Sequence, residues 1–145
     1  MDSRISMSES GPMTSSLLAT YGTLRRSFGN HRKLGVEEDL TFVGECEWSG
    51  DLYDLGRYPG AVVGDGTVYG DLFRLRGPQV WTVLDRYEGY DPDREEASLF
   101  VRRPVALDRP EGRTAWVYWY NGDPTSHPRV SSGSWATYLQ KRDAS

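Results

Sequence analysis

The sequence predicts an α+β fold, a mixed β-sheet curled into a small β-barrel with flanking helices. Three observations lead there. Strand-like segments outnumber helical ones, one amphipathic helix interrupts a run of hairpins, and the connection lengths do not fit a βαβ alternation. Residues 1–15 are polar and small and read as a disordered leader; residues 16–145 read as one domain.

The elements follow in order. Residues 16–21 are a short apolar run ended by Gly22, the pattern of a buried strand. Residues 25–39 are a polar loop with a helical turn near Val36. Thr41 to Trp48 alternates and reads as a strand, followed by a turn at Ser49-Gly50-Asp51 and extended chain to Leu55. Gly56 to Gly60 is a second turn, Ala61 to Val63 a short strand, and Gly64-Asp65-Gly66 a tight hairpin turn. Thr67 to Leu75 is the next strand, in which Gly70 marks a bulge or a close backbone approach. Pro78 starts a helix whose apolar face is Val80, Val83, Leu84 and Tyr87, with Gly89 as its C-terminal cap. Asp91 to Ala97 is a charged loop. Leu99 to Leu107 is a strand placed at an edge or bulge by Pro104. Thr114 to Tyr120 is the clearest strand, with Trp116, Tyr118 and Tyr120 on one face and Val117 and Trp119 on the other. Ser134 to Lys141 is a terminal helix.

Composition narrows the function classes. A chain of 145 residues can bury a core without a disulfide or metal staple. Five Trp and nine Tyr point to a core or pocket rich in rings. The net charge of −4 argues against a nucleic-acid surface, and the basic cluster Arg25, Arg26, Arg32 and Lys33 reads as a solvated loop. The single cysteine, Cys46, lies between two glutamates that would raise its thiol pKa, the wrong direction for a nucleophile. No stretch of the sequence has the length and apolarity of a transmembrane span, and residues 1–16 lack the apolar core of a signal peptide, so the expected compartment is the cytoplasm. The acidic run Asp91, Asp93, Glu95 and Glu96 lacks His or Cys partners and calcium-loop spacing, so no metal is expected. Phosphate-loop and dinucleotide fingerprints are missing as well, so no cofactor is expected.

Two segments carry the chemistry. Leu17 to Arg25 is an apolar strand running into a glycine turn, which can offer backbone N–H groups to an anion. Leu84 to Tyr90 sets one carboxylate, Glu88, in a strip of apolar and aromatic residues. An anion cradle facing an acid of raised pKa suits proton transfer on a small polar metabolite.

These segments, with five others in order along the chain, resemble the γ-glutamylcyclotransferase-like family. Tyr21-Gly22-Thr23-Leu24-Arg25 is similar to its N-terminal signature, and Leu84-Asp85-Arg86-Tyr87-Glu88-Gly89 to the segment holding its catalytic glutamate. Tyr58-Pro59-Gly60, Val68 to Phe73, Phe100-Val101-Arg102, Ala115 to Tyr118 and Ser132-Gly133-Ser134-Trp135 match further family segments, with Phe100 where a Tyr is more usual. The resemblance spans residues 17–140 and implies a cofactor-free enzyme that releases 5-oxoproline from a γ-glutamyl compound. It assigns Glu88 as general base and then acid, and Tyr21, Gly22, Thr23, Leu24, Phe100 and Tyr118 as substrate-binding. The partner it implies is a small γ-glutamyl molecule, bound by a monomer or weak homodimer, with neither nucleic acid nor membrane. Arg102 either pairs with a carboxylate or is a surface arginine of an edge strand. The alternative to an enzyme is a non-catalytic small-molecule-binding barrel of the same fold.

Overall fold

The computed structural model describes residues 17–22, 35 and 37–144. Among them five strands form one mixed sheet: β1 (Leu17–Thr20), β2 (Leu40–Asp54), β3 (Pro59–Leu75), β4 (Phe100–Ala106) and β5 (Thr114–Tyr120). Helix α1 (Gln79–Glu88) joins β3 to β4, and α2 (Trp135–Ala144) follows β5. The strand order is β2-β3-β1-β5-β4. The short β1 is central, antiparallel to β3 and parallel to β5. The expected leader, residues 1–15, and the basic cluster of the following loop lie outside the described residues.

The period-two pattern divides the core between the two faces of the sheet. Leu17 and Ala19 of β1 join Ala115, Val117 and Trp119 of β5, with Trp48, Leu52, Val68 and Leu72, on the face that α2 covers through Trp135. Leu18 and Tyr118 face the other way, with Phe73, Leu75 and Phe100, and are covered by Val80 and Leu84 of α1. Leu84 and Val80 are essentially fully buried, and each contributes roughly 2 kcal/mol from the apolar area it removes from water. Ser134 caps α2, its Oγ accepting the Thr137 N–H at 3.2 Å.

Three expectations are corrected. First, the barrel is not closed. β2 and β4 remain the sheet edges, and among the described residues the backbone of β2 meets the far side at isolated bridges from Glu47 to Arg109 and Tyr53 to Arg129 rather than in a continuous ladder. Pro104, without an N–H, sits on edge strand β4. Second, the glycine turns at 49–51 and 64–66 do not end strands. β2 and β3 run through them, and the ladder jumps from the pair Ser49–Thr67 to the pair Asp51–Val62. Residues 63–66 therefore bulge opposite Gly50. Asp51 holds the bulge, its Oδ1 accepting from the Gly66 N–H at 3.0 Å and from Arg129 at 2.8 Å. Third, Tyr87 is not on the buried face of α1; it is 41 % exposed, because the last turn of the helix overhangs a cavity instead of the sheet.

Gly70 is a close approach. A Cβ there would lie 2.1 Å from the carbonyl oxygen of Thr20 and 3.0 Å from the Trp48 ring. Gly70→Ala is expected to push β1 away from β3 and cost about 3 kcal/mol, read as a lowered midpoint in urea with an unchanged slope.

Candidate active site

At the C-terminal end of β1 the sheet leaves a cavity of ≈ 220 Å³, where the ends of β1 and α1 meet the starts of β3 and β4. Five of the seven residues singled out in the sequence line it: Tyr21, Gly22, Glu88, Phe100 and Tyr118. Thr23 and Leu24 lie outside the described residues.

The end of α1 fixes Glu88. Gly89 adopts a left-handed conformation, φ 70° and ψ 35°. Its N–H donates to the Arg86 carbonyl at 3.2 Å, and the Tyr90 N–H donates to the Asp85 carbonyl at 2.8 Å. This pair of bonds is a Schellman cap, which a side chain larger than glycine would strain. Glu88 is the last helical residue and projects from the negative end of the helix, a position that disfavours a carboxylate. Burial pushes its pKa up to about 8, and the negative charge of Asp85 adds to the rise. Tyr90, expected to help desolvate Glu88, is turned aside: its hydroxyl donates to Glu95 Oε2 at 2.6 Å.

Asp85 is a residue the sequence reading passed over. One turn before Glu88, it is buried on the inner face of α1 and clamped from two sides. The Arg102 guanidinium donates from Nε to Oδ1 at 2.9 Å and from an Nη to Oδ2 at 3.1 Å. The Tyr118 hydroxyl donates to Oδ1 at 2.6 Å. Arg102 thus pairs with a carboxylate rather than standing free on the edge strand. Its guanidinium also lies 4.4 Å from the centre of the Trp81 ring, 5.1 Å from that of Trp116 and 5.7 Å from that of Tyr90, so three aromatic faces surround it. The signal available in the sequence was an Asp next to the apolar helical face, which requires a cationic partner if buried.

Tyr21 is similarly committed. Its hydroxyl donates to the Tyr118 carbonyl at 2.6 Å and accepts from the Ala61 N–H at 3.2 Å. Burial raises its pKa, the Glu88 charge adds to this, and the Ala61 bond opposes it. Tyr118 is also raised, mainly by burial and then by its bond to Asp85. Both phenols stay protonated, and their protons are used within the wall. They brace the cavity, and Phe100 extends it with a ring 5.9 Å from Tyr58 and 5.8 Å from Tyr120.

Gly22 lies against the start of β3; a Cβ there would be 2.9 Å from Pro59 Cγ. Gly22→Val should displace the turn that follows β1. The expected result is at least about a tenfold loss of ligand affinity with the melting profile retained, measured by calorimetry; unchanged affinity would remove Gly22 from the binding surface.

The remaining candidates lie elsewhere. Cys46 is 2 % exposed and packs in the core cluster with Trp48 and Leu72. Within the acidic run, Glu95 is held by Arg103 at 2.6 Å and by Tyr90, and these bonds lower its pKa to about 2. Among the described residues no group of three His, Cys, Asp or Glu is placed to hold a metal ion, and no helix is long and apolar enough to cross a membrane.

A mixed sheet with an acid at a helix end, in a cavity at the end of a central strand, defines a class of small α+β proteins. The profile of one family, described as gamma-glutamyl cyclotransferase, AIG2-like, matches residues 18–137. The chain belongs to that family. A Vibrio cholerae protein named "Putative gamma-glutamylcyclotransferase" is 34 % identical over 120 residues, which cover 82 % of this chain and 94 % of that one. The solution structure of protein ytfP from Escherichia coli superimposes with a TM-score of 0.62 at 26 % identity, covering 85 % of this chain and 98 % of that one. The crystal structure of an uncharacterized Pyrococcus horikoshii protein shares the fold, with a TM-score of 0.66 at 18 % identity over 89 % of this chain and 97 % of that one.

Proposed function

We propose that this protein is a cofactor-independent γ-glutamylcyclotransferase, releasing 5-oxoproline from a small γ-glutamyl compound in the cytoplasm as a monomer or weak homodimer. The observation that carries the reading is the placement of the Glu88 carboxyl, at the end of α1, in a cavity walled by Tyr21, Gly22 and Tyr118. The substrate brings its own nucleophile. Its α-ammonium loses a proton to the Glu88 carboxylate, and the freed amine attacks the γ-carbonyl carbon. The new C–N bond closes a five-membered lactam. As the original γ-amide C–N bond breaks, Glu88 returns the proton to the departing nitrogen. The second proton on the ring nitrogen then passes through the same carboxylate to the freed amine, which leaves as an ammonium, and no water is consumed. Glu88 begins and ends in the same state.

An acid near 8 suits this shuttle. The α-amine of a γ-glutamyl compound sits beside a free carboxylate and is more basic than a chain-terminal amine, so raising the carboxyl toward that range narrows the gap each proton transfer must cross. Holding amine and carbonyl together in one cavity supplies the rest, since the reaction is intramolecular. In this reading the backbone amides of the glycine turn after β1 meet the α-carboxylate or the developing oxyanion, as the resemblance implies.

The test is a panel of γ-glutamyl amines, peptides and amino acids, each incubated with the protein and assayed for 5-oxoproline by mass spectrometry. The expected product appears without uptake of oxygen from labelled water. Labelled glutamate would show hydrolysis instead, and ligand binding without any product would favour the non-catalytic alternative.

A further inference from the structure

Asn121 follows β5 and ties it to the segment that leads into β4. Its side-chain amide donates to the Glu95 and Ser98 carbonyls, each at 2.9 Å. Its main-chain N–H donates to the Leu99 carbonyl, and the Leu99 N–H donates in turn to the Gly89 carbonyl, both at 3.0 Å. Gly89 caps the helix that ends in Glu88, and Leu99 lines the Glu88 cavity. One asparagine thus latches the rim of that cavity. The residue after it is Gly122, and both are exposed and lie outside helix and strand. Among the described residues the Gly122 N–H makes no hydrogen bond. A Cβ on Gly122 would lie 2.5 Å from the Tyr120 hydroxyl, so packing keeps the position small. The Gly122 nitrogen is therefore unbonded, unshielded by a side chain and on a backbone free to turn toward the Asn121 amide.

We infer that Asn121 is a self-modification site, deamidated by its own backbone and water, and that the change releases the cavity rim. The Gly122 nitrogen gives up its proton to water and attacks Asn121 Cγ. The new N–Cγ bond closes a five-membered succinimide as the Cγ–Nδ2 bond breaks, and ammonia departs with a proton regained from water. A water molecule then opens the ring. Cleavage at Cγ leaves aspartate, and cleavage at the main-chain carbonyl leaves isoaspartate. Nothing is oxidised or reduced. Aspartate sets a carboxylate against the Glu95 and Ser98 carbonyl oxygens, so two hydrogen bonds become two repulsions. Isoaspartate loses both donors and lengthens the main chain by a methylene. Neither the chemistry nor the release depends on the proposed cyclotransfer reaction.

Ageing the full chain in warm, mildly alkaline water enriched in heavy oxygen tests the chemistry. Trypsin in ordinary water then releases residues 114–129, in which Asn121 is the single asparagine. Mass spectrometry should find one labelled oxygen there in place of the amide nitrogen. It should appear at least about tenfold faster than at Asn30, which is followed by the bulkier His31. No uptake at Asn121, or uptake no faster than at Asn30, overturns the site. Asn121→Asp supplies the product directly. In that variant the Leu99 amide should exchange its hydrogen about tenfold faster than in the wild type, with the amides of β5 unchanged. Asn121→Ala removes the donors without adding a charge and should give a smaller rise. Unchanged Leu99 exchange in a folded Asn121→Asp protein overturns the latch; if that variant does not fold, unchanged exchange in Asn121→Ala does so.

Discussion

Glu88→Gln should abolish 5-oxoproline formation and, at the same time, make the protein more stable at high pH. Glutamine fills the same space but cannot carry a proton from the α-amine to the leaving nitrogen, so the loss in kcat should be about 10²–10⁴-fold. The stability effect comes from the same perturbation that suits the residue to its proposed role. The Glu88 carboxyl is raised from an ordinary value of 4.5 to about 8 by burial and by Asp85. Between those values the folded state holds a proton that the unfolded chain releases, so folding stability falls as pH rises through this window. Above pH 8 the fold carries a poorly solvated carboxylate. The penalty is about 3 kcal/mol, discounted from the full shift because the cavity is open to solvent. Glutamine does not ionise and escapes it. The variant and the wild type should therefore melt alike near pH 5, and the variant should melt higher near pH 9. A constant difference across that range would show that Glu88 titrates normally, and the proton shuttle would lose its basis.

That coupling explains which parts of the molecule were legible in the sequence. β5 was readable to its ends because each of its residues packs on one face or the other, Val117 and Trp119 against Tyr118, and burial on both faces enforces a strict alternation. α1 was readable because its start, its apolar stripe and its Gly89 cap agree. The long hairpin β2–β3 misled for a local reason. Gly64-Asp65-Gly66 has the chemistry of a two-strand turn, but Asp51 and Arg129 hold that segment as a bulge, and Arg129 lies 78 residues from Asp51 in the chain. Turn residues report what the backbone can do; a distant ion pair decided what it does. Barrel closure likewise depends on how far β2 and β4 curl toward each other, which no single segment encodes.

The site divides in the same way. Glu88 and the turn at Tyr21-Gly22 were visible because each stands in a short segment with its own pattern. Asp85 and the arrangement around it were not, since a buried carboxylate is intelligible only with its partners. Those partners, Arg102 and Tyr118, lie on two further strands. Tyr87 was misplaced because its helical angle is that of a core residue, whereas the core ends one turn earlier.

Arg102→Ala should be among the most damaging substitutions in the protein, although Arg102 touches the cavity only through other residues. The ion pair is largely out of water, with side-chain exposures of 18 % for Arg102 and 12 % for Asp85. Removing one member leaves a buried carboxylate with the Tyr118 hydroxyl as its remaining hydrogen-bond donor, at an expected cost of about 3–5 kcal/mol. The lost contact with the Trp81 and Trp116 rings adds about 1 kcal/mol. Arg102→Lys keeps the charge but not the two-pronged geometry or the flat stacking, and should cost about 1–2 kcal/mol. Replacing both members, Asp85→Leu with Arg102→Leu, should be less harmful than Arg102→Ala alone, because no unpaired charge remains. Urea denaturation of the four proteins orders these cases; an Arg102→Ala protein as stable as the wild type would show that the pair is not closed in solution. The double variant carries a second, independent readout. It takes the Asp85 charge away from Glu88 but leaves Glu88 desolvated. The acidic limb of the kcat/KM profile, expected near pH 8 in the wild type, should then move to lower pH while staying above 4.5, the ordinary carboxyl value.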